Sequence, residues 1–113
     1  MRQYWTIEQL LPYEFKKYNN NGIFQDPEHP AAHALSHFSY QYFGGRLMMV
    51  DVQGCKSGNT YTLTDPGFHT ETGKGLGDTN CGKKGFKQFF DKHVCGDICK
   101  AMGLKVPSLS VSD

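Results

Sequence analysis

Apolar positions recur at helical spacing in two stretches of the chain. Between Ala31 and Phe43, the residues Ala34, Leu35, Phe38 and Tyr42 return every three or four positions, which predicts a helix ending at Gly44-Gly45. In "KKGFKQFFDKH", Phe86, Phe89 and Phe90 repeat that period and predict a second helix. A short third helix covers Asp97 to Met102 and closes at Gly103. Strand-length patterns lie between the first two helices. "RLMMVDV" is a short apolar run, and "TYTLT" is β-branched and alternating. Gly54 to Asn59 is the expected turn of a hairpin between them. Residues 1–18 mix apolar and charged groups and are expected to hold a short strand and a turn at Pro12. "KYNNNG" and "QDPEHP" read as loops, because Asn side chains draw backbone groups away from helix. Residues 66–82 read as a glycine-rich loop. The fold class is α+β, with helices packed around a small antiparallel sheet.

Composition narrows the function classes. A chain of 113 residues is one domain with a modest core. A net charge of +1 gives no basic footprint, so no nucleic-acid partner is expected. No apolar run approaches the ~20 residues of a membrane span. The opening "MRQYWTIEQLLPYEF" lacks the zones of a signal peptide. A cytoplasmic, reducing location follows as the expectation, in which the four cysteines serve as thiols or metal ligands. "VPSLSVSD", with its proline and small polar residues, reads as a tail, placing the domain at 1–105 and the tail at 106–113.

"HVCGDIC" supplies candidate metal chemistry. Cys95 and Cys99 are four apart and share one face of a helix, with His93 at the junction before it. Tetrahedral zinc accepts this mixture and needs a fourth ligand. His29, His33, His37, His69, Cys55 and Cys81 are all available, and placement in the first helix favours His37. The plainer alternative has Cys95 and Cys99 as small buried residues and His93 as a surface cap.

Two carboxylates end the two predicted strands. Asp51 follows the apolar run and Asp65 follows "TYTL", locked by Pro66. Acids at adjacent strand ends can converge on one point, which suits Mg²⁺ with its oxygen ligands or a positioned base. They can equally bond turn amides and do nothing else. "TGKGLGDTNCGKKG" has five glycines in fourteen residues. No strand runs directly into it and no G-K-[ST] closes it, so it reads as a flexible surface loop rather than a nucleotide motif.

Taken in order, "EFKKYNNNG", "ALSHFSYQY", "LMMVDVQG", "TLTDPGFHT", "LGDTNCGKKG" and "FFDKHVCGDICK" resemble the blocks of the alpha-kinase family of atypical protein kinases. The resemblance runs from Trp5 to Leu104. It implies the C-terminal lobe of an alpha-type kinase, with a structural zinc on His37, His93, Cys95 and Cys99. It implies Asp51 as the catalytic aspartate, and Gln53 and Asp65 as the residues that hold Mg²⁺ on the ATP phosphates. Lys17, Asn21 and the hinge acid Glu8 would line the nucleotide site. The stretch with Gly77, Thr79 and Gly82 would bind a protein substrate. Phosphoryl transfer needs positioning and charge neutralisation above all, and these residue types supply both.

The same comparison shows departures. The chain starts near the family's hinge, so the resemblance implies that an N-terminal kinase lobe acts with it in cis. "CKSGNT" lengthens the span between Asp51 and Asp65, and Thr79 replaces a usual Gly or Ala. The implied function is an ATP-dependent serine/threonine protein kinase. The alternative is a zinc-stabilised, non-catalytic binding or scaffold module derived from one.

Overall fold

The computed structural model describes residues 15–75 and 80–109. Eight elements follow in order: β1 Lys16–Lys17, α1 Pro30–Tyr42, β2 Leu47–Val50, β3 Gln53–Ser57, β4 Thr60–Leu63, β5 Gly67–Thr70, α2 Gly82–Lys92 and α3 Asp97–Ala101. The class is α+β, as expected. The strands form two small antiparallel sheets, one ordered β1-β3-β4 and the other β2-β5.

The strand pairing corrects the sequence reading. The apolar run of β2 pairs with β5, from Leu47 opposite Thr70 to Val50 opposite Gly67. It does not pair with "TYTL". That segment, β4, pairs instead with β3, which occupies most of the stretch expected to be turn. Ser57 faces Thr60, so the turn shrinks to Gly58-Asn59, with Gly58 at φ 60°. A two-residue connection of this kind matches the twist of a hairpin. Residues 67–70, expected as loop, form β5 because their backbone completes the ladder of β2, which has no other partner among the described residues. The lengthened "CKSGNT" span is absorbed in the outer end of the β3–β4 hairpin.

The two sheets are joined twice. Between β2 and β3 the chain crosses at Asp51-Val52, and between β4 and β5 it returns at Thr64–Pro66. Both crossings bring an aspartate to the same seam.

Helix α1 starts with Pro30 in its first turn, where the missing N–H is no loss. It stops at Gly44 and Gly45, both left-handed, as the sequence predicts. Its buried face differs from the one that announced it. His33, Ser36, His37 and Ser39 point inward with Ala32 and Ala34, whereas Phe38 and Tyr42 stack on the outside with ring centroids 5.5 Å apart. The inner polar groups are bonded: Ser39 donates to the Ser36 carbonyl and accepts the Met49 N–H at 2.8 Å, which ties α1 to β2.

Two apolar clusters hold the layers. Met48 and Val50 of β2 pack with Phe86, Phe89 and Phe90 of α2, joined by Tyr40 and Leu109. Each buried Phe of α2 contributes about 1.5–3 kcal/mol through area removed from water. Tyr18, Ala32 and Val52 form the second cluster beside Leu35, Tyr61 and Leu63. Among the described residues, no helix is long and apolar enough to cross a membrane.

Candidate active site and metal centre

Asp51 and Asp65 are the only non-glycine residues at positive φ among the described residues, at 53° and 50°. Such a backbone is uncommon for a residue with a side chain and persists where its surroundings enforce it. At Asp51 the enforcement is visible. The next residue, Val52, is held at both of its backbone polar groups by the Tyr18-Asn19 segment: the Asn19 side-chain oxygen accepts the Val52 N–H at 2.9 Å, and the Val52 carbonyl accepts the Tyr18 N–H at 2.8 Å. Asn19 is fully buried and is itself anchored on α1, its amide donating to the Ser36 hydroxyl at 3.1 Å.

Gln53 joins the two crossings. Its side-chain amide donates to the main-chain carbonyls of Asp51, at 3.2 Å, and Asp65, at 3.1 Å. With the nitrogen so used, the Gln53 amide oxygen is the part of that group left to accept a hydrogen bond or meet a cation. The Asp51 carboxylate is largely buried and has Lys17 Nζ at 3.6 Å from Oδ1. Asp65 is exposed. Gly54 permits this packing, since a Cβ there would overlap the Thr62 carbonyl oxygen. Lys17, Asp51, Gln53 and Asp65 are thus brought to one seam.

Asn21 lies one step away and is held through His69. The His69 ring, buried on β5, donates from Nε2 to the Asn21 carbonyl at 3.0 Å and accepts the Cys81 backbone N–H on Nδ1 at 3.0 Å. Burial pushes the His69 pKa down, and the hydrogen bond to Asn21 and the charge of Asp51 only partly oppose that. The end of the glycine-rich stretch is organised by Asn80. Its side chain accepts the N–H groups of Thr70 and Gly82, and donates to the Thr70 hydroxyl and the Gly75 carbonyl. Gly82 opens α2 at φ 65°, packed so closely that a Cβ would come 3.1 Å from Gly73 Cα. Glu8, Gly77 and Thr79 lie outside the described residues.

The second site is built on α1 through His37. Nδ1 of His37, Nε2 of His93 and the Sγ atoms of Cys95 and Cys99 all fall within 4.8 Å of one another. His37 Nδ1 is 3.3 Å from His93 Nε2, 3.5 Å from Cys95 Sγ and 3.7 Å from Cys99 Sγ, and Cys99 Sγ is 3.5 Å from His93 Nε2. The edges of a tetrahedron with zinc at its centre, at ordinary Zn–N and Zn–S lengths, are about 3.3 Å for N–N and about 3.5 Å for N–S. The donor set and its spacing therefore fit a tetrahedral divalent ion. His37 Nε2 donates to the Lys105 carbonyl at 2.9 Å, which leaves Nδ1 as the free lone pair.

Electrostatics supports the same reading. Burial, with His37 and His33 nearby, lowers the His93 pKa to about 4, so this imidazole is neutral and able to bind. Burial and the neighbouring Cys95 raise the Cys99 thiol. A cation at the centre would supply the positive charge such a thiolate needs. Of the six candidates for the fourth donor, the structure brings only His37 to the cluster. Cys55 is buried on β3, Cys81 is exposed at the start of α2, and His29, His33 and His69 bond elsewhere.

Asn19 and Asn80 escape sequence reasoning, and His69 enters it only as a candidate metal ligand. Asn19 is the first of three consecutive asparagines, and a polar run reads as solvated loop. His69 and Asn80 lie in a stretch that reads as loop throughout. A strand over 67–70 would place His69 on the inner face beside Gly67, two residues away.

A model of the alpha-kinase family matches residues 1–99. The alpha-protein kinase vwkA of Dictyostelium discoideum is 36% identical over 111 residues, covering 96% of this chain and 18% of that protein. Eukaryotic elongation factor 2 kinase of Homo sapiens is 41% identical over 106 residues, 92% of this chain and 14% of that protein. The chain therefore spans under a fifth of these relatives. Among solved structures, the alpha-kinase domain of myosin heavy chain kinase A in complex with AMPPCP superimposes with a TM-score of 0.78 at 37% identity, covering 86% of this chain and 37% of that one.

Proposed function

The chain belongs to the alpha-kinase family, and from that premise we propose that it is the catalytic lobe of a serine/threonine protein kinase that transfers the γ-phosphoryl group of Mg-ATP to a protein hydroxyl. The observation that carries the reading is the convergence of Asp51, Gln53 and Asp65 on the seam between the two sheets, with the Gln53 amide bridging the Asp51 and Asp65 carbonyls.

In this reading Asp51 positions the substrate hydroxyl and takes its proton. The bond from the γ-phosphorus to the bridging oxygen of ADP breaks as the bond to the hydroxyl oxygen forms. The left-handed backbone at Asp51, held by Asn19 and Tyr18, aims the carboxylate so that little reorganisation is left to the reaction. The Gln53 side-chain oxygen and the Asp65 carboxylate would hold Mg²⁺, which supplies charge neutralisation on the phosphates. Lys17, Asn21 and Glu8 line the nucleotide, and the stretch with Gly77, Thr79 and Gly82 receives the protein substrate. An N-terminal kinase lobe in cis completes the nucleotide site.

The His37–His93–Cys95–Cys99 cluster is a structural zinc site in the same reading. Zinc held by these four residues would cross-link α1 to the α2–α3 junction.

The test is phosphotransfer from labelled ATP by the full-length protein that carries this chain, compared with Asp51→Ala. The variant should lose at least about a hundredfold in rate. Equal transfer by both proteins, or none by the unaltered one, would overturn the proposal.

A further inference from the structure

His69 takes no part in the chemistry proposed above, yet it is one of the most completely buried side chains, at 1% exposed. Space is reserved for it. Gly85 of α2 lies against its ring, and a Cβ at Gly85 would stand 2.5 Å from three ring carbons. Both nitrogens are in use and each can serve in only one sense. Cys81 offers a backbone N–H, so Nδ1 must present a lone pair; Asn21 offers a carbonyl, so Nε2 must carry the proton. The ring is one neutral tautomer, and no other side chain places a donor and an acceptor on these two sides of a flat, rigid frame.

The two partners are main-chain groups from distant segments. Asn21 belongs to the loop after β1, and Cys81 to the residues that open α2. A second contact runs the same way, from Asn21 Nδ2 to Cys81 Sγ at 3.7 Å. The side chain of Asn80, the residue before Cys81, is bonded to Thr70, the neighbour of His69 on β5. One ring therefore sets the distance between these segments, and Asp51 lies near enough for its charge to act on it.

We propose that His69 is a positioning residue that ties the Asn21 carbonyl to the Cys81 amide, and so sets the spacing between the nucleotide side and the protein-substrate side of the site. This rests on the kinase reading for what the two sides bind, while the tie itself rests on geometry alone.

Two variants separate the ends. In His69→Gln the side-chain NH₂ falls near the place of Nε2, which keeps the donor to Asn21 and removes the acceptor for Cys81. In His69→Asn the side-chain oxygen falls near the place of Nδ1, which keeps the Cys81 bond and removes the one to Asn21. In the full-length protein, His69→Gln should raise KM for protein substrate about tenfold with KM for ATP little moved, and His69→Asn should do the reverse. A role in stability alone would move both constants together in both variants and would overturn the proposal.

A second arm needs no catalysis. Amide hydrogen exchange at Cys81 should speed about tenfold in His69→Gln and stay slow in His69→Asn, with Phe89 and Phe90 unchanged in both. Equal exchange at Cys81 in the two variants would sink the tie. In unaltered protein at neutral pH, the ring nitrogen shifts of His69 should report a proton on Nε2 and none on Nδ1, and the opposite tautomer would refute it. A wild-type protein that transfers no phosphate, with the exchange pattern intact, would overturn the kinase reading and leave the tie standing. Phosphotransfer without the KM split would do the opposite.

Discussion

Gln53 donates to the main-chain carbonyl of Asp65 at 3.1 Å and, through the same nitrogen, to that of Asp51 at 3.2 Å. One side chain thus holds together both places where the chain passes between the sheets. Gln53→Glu keeps the shape and removes the donor, setting a negative oxygen against two carbonyls. Loss of two hydrogen bonds should lower stability by about 1–3 kcal/mol, read from urea denaturation. Phosphotransfer should fall more steeply than stability, because the Asp51 backbone loses a support. An unchanged rate would show that the Gln53 amide has no part in the site.

Gly54→Ala should be among the most damaging single changes. Its Cβ would overlap the Thr62 carbonyl, and both partners are backbone in a paired hairpin, so neither can turn away. A loss above about 4 kcal/mol, or failure to accumulate folded protein, is expected. Gly58→Ala serves as the comparison, because nothing lies within 4 Å of a Cβ there and only the left-handed turn is strained.

Purified protein should carry one zinc per chain, measured by mass spectrometry of the metal. Chelation should lower the melting temperature by at least about 10 °C, since an ion that binds the folded state alone adds its binding energy to stability. Cys99→Ser should lose the metal, whereas Cys55→Ser should keep it. Protein that melts identically before and after chelation would show the cluster to be plain packing.

Stability should decline on the acid side from about pH 6.5. The pKa values of His33 and His69 are both depressed, in each case first by burial. Their neutral forms are the bonded ones: His33 reaches the Asp26 carbonyl through Nε2 and faces the Asn19 amide through Nδ1. A depressed folded-state pKa means that the unfolded chain takes up protons first as pH falls. The contribution is therefore complete above the unfolded value and is lost as pH drops through the folded ones. Urea midpoints compared at pH 7 and pH 5 should show the decline, and His33→Gln should shrink it. A flat profile over that window would contradict the neutral assignment.

Helix ends are legible in the sequence because they rest on local backbone chemistry. Gly44-Gly45 and Gly103 stop their helices as expected, each at positive φ. Strand pairing is not local and is misread: "LMMV" points to the nearest strand-like segment, whereas it joins "GFHT", twenty residues on. A run containing glycine and a polar histidine does not look like a strand until its partner is known. The candidate metal ligands can be assembled because Cys95, Cys99 and His93 are neighbours and His37 sits on a helix whose phase is readable. Even there, the phase misleads in part: the apolar stripe of α1 puts Phe38 and Tyr42 inward, and the helix instead buries its serines and histidines. Asn19 shows the limit most clearly. Nothing in a run of three asparagines marks the first as the post that holds Val52.

The carbonyl of Lys105 accepts the His37 Nε2 proton, and Lys105 makes that contact with its backbone alone. Position 105 should consequently be indifferent to its own identity, since a lysine, a serine or a leucine all offer the same oxygen. It should be intolerant of shifts in length, because one residue added or deleted between Cys99 and this point moves the oxygen off the ring. Substitution and insertion scans across 104–106 would then give opposite results at the same few residues, and drift in sequence there carries no information about whether the His37–His93–Cys95–Cys99 cluster has been kept.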